Sequence, residues 1–209
     1  MIGTADTFSD QLFRQRPIVG ILRNIDPGAY PELLSRYHGA GFTTIEITMN
    51  TTDASKIIRE ARDHWTSRLN IGAGTVCNVD ELKSAIDAGA QFIVTPVLNL
   101  EVIEACVKAG MPVFPGAFSP TEIYKGWQAG ATLVKVFPAS VNGSQFIKEM
   151  QGPFPQIGLM AVGGVGAENF RSFFDAGAAA VGMGSKLFPP KIIESRNWDM
   201  LSAHFNQFN

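Results

Sequence analysis

One repeated pattern constrains the fold of this 209-residue chain more than any other feature. Five times, a helix-like segment is followed by a small residue, a glycine and a short apolar run. The glycine suits the end of a helix, where a left-handed residue often closes it. The apolar run suits a parallel strand that is covered on both faces. The marker glycines are Gly41, Gly89, Gly110, Gly130 and Gly177.

The spacing of these glycines predicts the number of strands. Their separations are 48, 21, 20 and 47 residues, so each outer gap has room for one further strand and helix. Apolar segments at 69–76 and 157–164 fill the two gaps, and the segment at 17–23 adds a first strand. Eight strands, each followed by a helix-like segment, predict a (β/α)8 TIM barrel in the α/β class.

An open, doubly wound sheet is the structural alternative, because strand–helix alternation fits both architectures. No Gly-x-Gly-x-x-Gly loop follows the first strand, which favours the barrel. A barrel uses nearly the whole chain, so residues 1–209 are predicted to form one domain. The segment 8–15 is predicted to be a helix that caps the barrel bottom.

Composition excludes several classes of protein. The chain is 45% hydrophobic and 17% charged, its formal net charge is −2, and it has no basic run, so no nucleic-acid partner is predicted. No signal-peptide core and no membrane-length apolar stretch is present, so no membrane partner is predicted. Cys77 and Cys106 are not in a CxxC pair, which indicates a reduced, cytoplasmic setting, and both are expected to be small packed side chains.

In a TIM barrel, chemistry lies at the carboxyl ends of the strands. Lys135 interrupts the apolar run "LVKVF" at one such end. It could reach solvent past its apolar neighbours, but burial favours a neutral amine that attacks a carbonyl. The predicted strand ends carry Arg23, Glu46, Thr48, Thr75, Thr95, Pro96, Lys135 and Phe137, and then two glycine-rich corners.

Glu46 also interrupts an apolar run, between Ile45 and Ile47. Burial raises the pKa of a carboxyl group, and a nearby ammonium lowers it. Facing Lys135 across the barrel interior, Glu46 could serve as a proton shuttle. A purely structural ion pair between the two is the alternative.

The remaining strand ends predict how a substrate is held. Backbone N–H groups at the two glycine corners can bind a phosphate without a cationic side chain, although tight turns are the alternative. Arg23 could be a surface charge, but at the mouth of strand one it is placed for a carboxylate, to which Thr75 offers a hydroxyl. Pro96 and Phe137 serve chiefly as packing residues that wall the site. The corner residues are Gly163, Gly164, Gly184 and Ser185.

No metal or other cofactor is predicted. His38, His64 and His204 fall on helix-like segments, and no spacing of histidine with acidic residues resembles a metal triad. This favours lysine chemistry over metal-dependent aldol chemistry.

The motifs "EIT", "IGAGTV", "IVTP", "VKVFPA", "GPFPQI", "GGV" and "GMGS" occur in the order typical of one family. Over about residues 17 to 190 the chain resembles the 2-keto-3-deoxy-6-phosphogluconate / 4-hydroxy-2-oxoglutarate aldolases, which are class I enzymes on a (β/α)8 barrel, usually trimeric. The resemblance implies that Lys135 is the Schiff-base lysine and Glu46 the general acid/base. It also implies that Arg23 and Thr75 bind the pyruvyl carboxylate, and that the glycine corners with Ser185 bind phosphate.

Two positions depart from the gluconate-type pattern. Asn50 stands where many members carry arginine, and Val162 stands where many carry threonine. Valine resembles the phosphogalactonate branch, so the preferred epimer at C4 stays open. The alternatives are 4-hydroxy-2-oxoglutarate as substrate, a phosphosugar isomerase or epimerase, and a phosphate-binding barrel without catalysis.

Overall fold

A ring of parallel strands organises the computed structural model, which describes residues 7–208. The strands follow the order β5-β4-β3-β2-β1-β9-β8-β7-β6. They are β1 (Ile18–Leu22), β2 (Thr44–Thr48), β3 (Asn70–Gly74), β4 (Ile93–Val94), β5 (Val113–Phe114), β6 (Gly116–Ala117), β7 (Val134–Val136), β8 (Leu159–Val162) and β9 (Ala180–Met183).

The nine short strands correspond to the eight predicted ones, because β5 and β6 are two halves of the fifth strand. Pro115, which has no backbone N–H, lies between the halves. The Thr132 N–H donates to Val113 O at 3.0 Å and the Lys135 N–H donates to Pro115 O at 2.8 Å. These bonds carry the ladder across the interruption, and the predicted (β/α)8 barrel is confirmed.

Helices alternate with the strands as the repeat predicts. All five marker glycines have left-handed φ angles, between 66° and 98°, where a side chain would be strained. The helices are α1 (Asp10–Gln15), α2 (Tyr30–Gly39), α3 (Ala54–Trp65), α4 (Val79–Asp87), α5 (Leu100–Lys108), α6 (Pro120–Gln128), α7 (Ala139–Gln151), α8 (Phe170–Asp175), α9 (Pro190–Glu194) and α10 (Trp198–Phe205). Within residues 7–208, none of these helices is long and apolar enough to cross a membrane.

Helix α1 caps the barrel bottom, as predicted for the segment 8–15. Phe8 and Phe13 pack against the interior rings of Phe92 and Phe114, with ring centroids 5.5–6.3 Å apart. Asn70, at the start of β3, receives a hydrogen bond from the Ser9 N–H and donates one to Ser9 O. The bottom is therefore closed by apolar packing and by satisfied polar groups, which leaves the opposite end for chemistry.

Candidate active site

Lys135 lies inside the barrel at the middle of β7. Its strand neighbours are Gly116 of β6 and Met160 of β8, and its side chain is only 4% exposed. The Nζ atom lies 4.9 Å from the centroid of the Phe137 ring. A lysine so placed cannot snorkel into bulk water, which removes the surface alternative for its side chain.

Glu46 of β2 is equally deep, with 2% of its surface exposed. Its carboxylate lies against the backbone of Gly74 on the neighbouring strand. A Cβ atom at position 74 would lie only 2.1 Å from Glu46 Oε1, so glycine makes room for the carboxylate. In the part of the chain that the structure describes, Glu46 Oε2 is buried without a hydrogen-bond partner. A buried carboxylate oxygen left free is costly, which marks this group as a candidate for proton transfer.

The electrostatics of the pair suit proton exchange near neutral pH. Burial raises the pKa of Glu46 to about 7, and the charges of Lys135 and Arg23 act against that rise. Burial lowers the pKa of Lys135, which the Glu46 charge opposes and the Arg23 charge assists. Two buried groups whose pKa values shift toward each other can serve as amine nucleophile and acid/base partner.

Arg23 lies just beyond β1 and is exposed at the barrel mouth. It lines a cavity of about 590 Å³ together with Gly184 and Ser185. The structure therefore brings Arg23 beside the predicted phosphate corner as well as close enough to influence Glu46. Asn50, which departs from the gluconate-type pattern, is exposed.

Three mouth residues were given no role by the sequence. Thr48, two residues after Glu46, is fully buried, and its Oγ1 lies 2.9 Å from Thr51 Oγ1. Thr51 Oγ1 also accepts a hydrogen bond from the Asn24 N–H at 3.0 Å. The sequence offered one sign that Thr48 belongs to the mouth, because it lies at a predicted strand end and on the same face as Glu46. Nothing in the sequence near Thr51 indicated its contact with Asn24.

Thr75 and Cys77 follow β3 at the mouth. Thr75 is half-buried and has a left-handed φ of 56°, which is uncommon outside glycine. Cys77 is exposed, and its Sγ atom lies 3.6 Å from Thr75 O, so the prediction that it is a packed side chain is wrong. Position 77 lies in the exposed connection between the end of β3 and the start of α4. Cys106 is fully buried, as predicted.

Pro96 and Phe137 are half-buried and line one groove of about 410 Å³. Both therefore wall the mouth on the side of Lys135. Thr95, the strand-end residue before Pro96, is buried and accepts a hydrogen bond from the Gly116 N–H at 3.2 Å, so it holds backbone rather than facing the mouth.

The glycine corner after β8 has the predicted backbone. Gly163 and Gly164 adopt φ angles of 96° and 73°, which other residues rarely adopt. Val162 is 3% exposed and faces the interior. A Cβ atom added at Gly182 would lie 2.8 Å from its Cγ2 atom. The second corner is half-buried at Gly184 and exposed at Ser185.

His38, His64 and His204 lie on α2, α3 and α10, as predicted. Within residues 7–208, no group of three or more histidine, cysteine, aspartate or glutamate side chains is placed to hold a metal ion.

Comparisons with known proteins show the family of this chain. The family model described as "KDPG and KHG aldolase" matches residues 10–204. The 2-dehydro-3-deoxy-6-phosphogalactonate aldolase of Escherichia coli strain K12 is 38% identical over 82% of this chain and 84% of its own length.

Two solved structures are also similar. A KDPG aldolase from Legionella pneumophila, with pyruvate captured at low pH as a covalent carbinolamine intermediate, superimposes with a TM-score of 0.87 at 25% identity over 98% of both chains. A protein cage designed by fusing symmetric oligomeric domains superimposes with a TM-score of 0.85 at 34% identity, over 93% of this chain and 72% of that one. By its family match and by these relatives, this chain belongs to the KDPG and KHG aldolases.

Proposed function

We propose that this lyase cleaves a 2-keto-3-deoxy-6-phospho sugar acid into pyruvate and glyceraldehyde 3-phosphate through a Schiff base on Lys135. The observation that carries the proposal is the burial of Lys135, 4% exposed, in the same interior as the Glu46 carboxylate, whose Oε2 has no hydrogen-bond partner among residues 7–208. A structural ion pair would not need the free oxygen, whereas a proton shuttle does.

The reaction begins with attack of the neutral Lys135 amine on the C2 ketone. The resulting carbinolamine loses water as Glu46 supplies a proton to the departing hydroxyl, and a cationic iminium forms. Burial of the amine favours its neutral form, because the charged form loses hydration.

Cleavage then uses the iminium as an electron sink. Glu46, as a carboxylate, removes the proton of the C4 hydroxyl, the C3–C4 bond breaks, and its electron pair moves into an enamine. Glyceraldehyde 3-phosphate leaves, C3 of the enamine is protonated, and water hydrolyses the iminium to release pyruvate. A Glu46 pKa of about 7 suits a group that both gives and takes protons.

The two ends of the substrate are held apart so that the scissile bond lies between them. Arg23 and Thr75 are proposed to bind the pyruvyl carboxylate, while the backbone of the two glycine corners binds phosphate. Pro96, Phe137 and Val162 supply apolar walls. Because Arg23 also lines the cavity of Gly184 and Ser185, its guanidinium is placed to serve either anionic end.

The galactonate form of the substrate has specific support. Val162 faces the interior beside the glycine corner and offers no hydroxyl to the sugar chain. The Escherichia coli relative at 38% identity is named for the phosphogalactonate substrate. Parallel rate measurements on the gluconate and galactonate phospho-acids decide the epimer.

A homotrimer in the cytoplasm is also proposed. Val97, Phe118 and Val141 are 52%, 45% and 69% exposed, and they line the groove that reaches Pro96 and Phe137. We propose that a second copy of the chain covers this groove, because the cage relative is described as built from symmetric oligomeric domains. Light scattering after size exclusion should give three subunits for the wild type and a smaller species for Val141→Glu; a monomeric wild type contradicts the trimer.

Borohydride reduction in the presence of pyruvate tests the mechanism. Peptide mass spectrometry should locate a reduced pyruvyl adduct on Lys135, and Lys135→Met should form none while keeping its fold. An adduct on another lysine, or none, overturns the assignment.

The alternative functions give different results. If the protein were an isomerase or a binding protein, no adduct would form. If it cleaved 4-hydroxy-2-oxoglutarate at a rate that inorganic phosphate does not change, the non-phosphorylated substrate would be favoured. EDTA should leave the rate unchanged; inhibition that zinc reverses contradicts the proposal.

A further inference from the structure

The loop that follows β1 is fastened to the end of β2 by side-chain hydroxyls. The Asn24 N–H donates to Thr51 Oγ1 at 3.0 Å, and Thr51 Oγ1 lies 2.9 Å from Thr48 Oγ1. Thr51 is 6% exposed and Thr48 is fully buried. These contacts join the residue after Arg23 to the residue two places after Glu46, and the bond from Asn24 to Thr51 spans 27 positions of the sequence.

The bond to Thr51 helps to hold Asn24 in an uncommon backbone conformation. Its φ of 52° is left-handed, which asparagine tolerates better than most residues other than glycine. Asn24 directly follows Arg23, so the conformation held at Asn24 limits where the backbone of Arg23 can lie. Without the bond to Thr51, the Asn24 N–H would lose its partner at the mouth, and the loop would be free to choose other conformations.

The position of Arg23 has a chemical consequence. The charged side chains that act on the Glu46 carboxyl are Lys135 and Arg23, and both hold its pKa below the value that burial alone would give. An Arg23 side chain that moved away from the interior would leave the Glu46 carboxyl with a higher pKa. It would also weaken binding of the anionic end of the substrate.

We propose that Thr51 is a positioning residue for the aldol reaction, whose hydroxyl holds the Asn24 backbone and thereby fixes Arg23 at the mouth beside Glu46. The inference rests on the proposed function, because it assigns Arg23 a substrate anion and Glu46 a proton. Thr51 itself touches neither substrate nor the reacting atoms; its hydroxyl acts through the loop.

The test is Thr51→Val, which keeps the side-chain shape and removes the acceptor. The pyruvate concentration that gives half-maximal borohydride trapping should rise about 3- to 10-fold, as expected for the loss of one hydrogen bond. The acid limb of the cleavage pH profile should move to higher pH, because the Glu46 pKa rises when Arg23 moves away. Thr51→Ser, which keeps the hydroxyl, should restore both values.

Thr44→Val is the matched control. Thr44 is also a fully buried threonine on β2, but its Oγ1 accepts from Asn70 Nδ2 at 3.2 Å, at the barrel bottom. Thr44→Val should lower the melting temperature while leaving half-saturation and the pH profile unchanged. Thr51→Val with wild-type half-saturation and profile, equal shifts in Thr44→Val, or no rescue by Thr51→Ser overturns the inference. Absence of a pyruvate adduct in the wild type instead overturns the proposed function.

Discussion

The two ends of the barrel are built on one ring of strands, yet they treat buried polar groups in opposite ways. At the bottom, Gln91 Oε1 accepts from the Ile71 N–H at 2.7 Å and its Nε2 donates to Thr7 O at 2.8 Å. The Thr43 hydroxyl donates to Leu12 O at 2.7 Å. Polar side chains here serve to attach the chain that leads into and forms α1, and the space between them is filled by phenylalanine rings.

At the mouth, the interior instead holds two ionisable groups at 2% and 4% exposure, Glu46 and Lys135. Two residues other than glycine, Asn24 and Thr75, adopt left-handed conformations nearby. Strain and buried ionisable groups disfavour folding, so their presence together around Lys135 and Glu46 indicates chemistry there. We therefore expect stability to depend mainly on the bottom layer and activity on the mouth layer, so that each can be changed separately.

The largest effect is expected at the mouth. Glu46→Gln keeps the shape of the side chain but removes its ability to take a proton, so kcat for cleavage should fall by roughly 10²–10⁴-fold. The folded state should be at least as stable as the wild type at neutral pH, because burial raises the pKa of Glu46 and its ionised form therefore disfavours folding. Steady-state pyruvate release and urea unfolding measure the two quantities. An unchanged kcat would remove Glu46 from the reaction.

The bottom layer should show the reverse behaviour. Phe114 is fully buried and packs on Phe8, Phe13 and Phe92. Phe114→Ala should lower the free energy of unfolding by about 3–5 kcal/mol, because the transfer term and the cavity term add. Activity per folded molecule should stay within a few-fold of the wild type, measured below the onset of unfolding. A fall in kcat comparable to that of Glu46→Gln would mean that the layers are coupled.

The sequence predicted those features that depend on local pattern. The marker glycines close helices, so their spacing predicts the number of strands. A lysine inside an apolar run stands out in the sequence even before its contacts are known. Features that depend on contacts between distant segments were missed. The bond from Asn24 to Thr51 crosses 27 positions, and the need for glycine at position 74 arises only because Glu46 of the neighbouring strand points at it. The break in the fifth strand was also missed, although its cause is local: Pro115 has no backbone N–H to donate to the ladder.

Stability should depend on pH through the buried carboxyl. The pKa of Glu46 rises from 4.5 in the unfolded chain to about 7 in the fold, so the folded state binds more protons between these values. The wild type should therefore lose stability relative to Glu46→Gln as pH rises from about 4.5 to about 7. The difference should level off above that window at a value of order 3 kcal/mol.

Urea unfolding of both proteins across pH 4 to 8 measures this dependence, with Glu104→Gln, on the exposed side of α5, expected to parallel the wild type. A wild type that gains stability through the window relative to Glu46→Gln contradicts burial as the dominant influence on this carboxyl.

Two glycines of β3 separate the bottom layer from the mouth layer further, with smaller expected effects. A Cβ at Gly74 would lie 2.1 Å from Glu46 Oε1, and a Cβ at Gly72 would lie 2.5 Å from the Phe92 ring. Gly74→Ala should push the carboxylate aside, because a flexible side chain yields before the backbone does. A displacement of about 1 Å at a reacting group lowers kcat by roughly 10²-fold, with little change in stability.

Gly72→Ala should do the opposite, lowering the free energy of unfolding by about 1–3 kcal/mol through overpacking of the aromatic layer. Its kcat per folded molecule should stay near that of the wild type. Gly39→Ala is the control, since nothing lies within 4 Å of its added Cβ and alanine favours the helix there. If Gly72→Ala and Gly74→Ala reduced stability and kcat in the same proportion, the barrel interior would act as one unit, and the division between a structural bottom and a chemical mouth would be wrong.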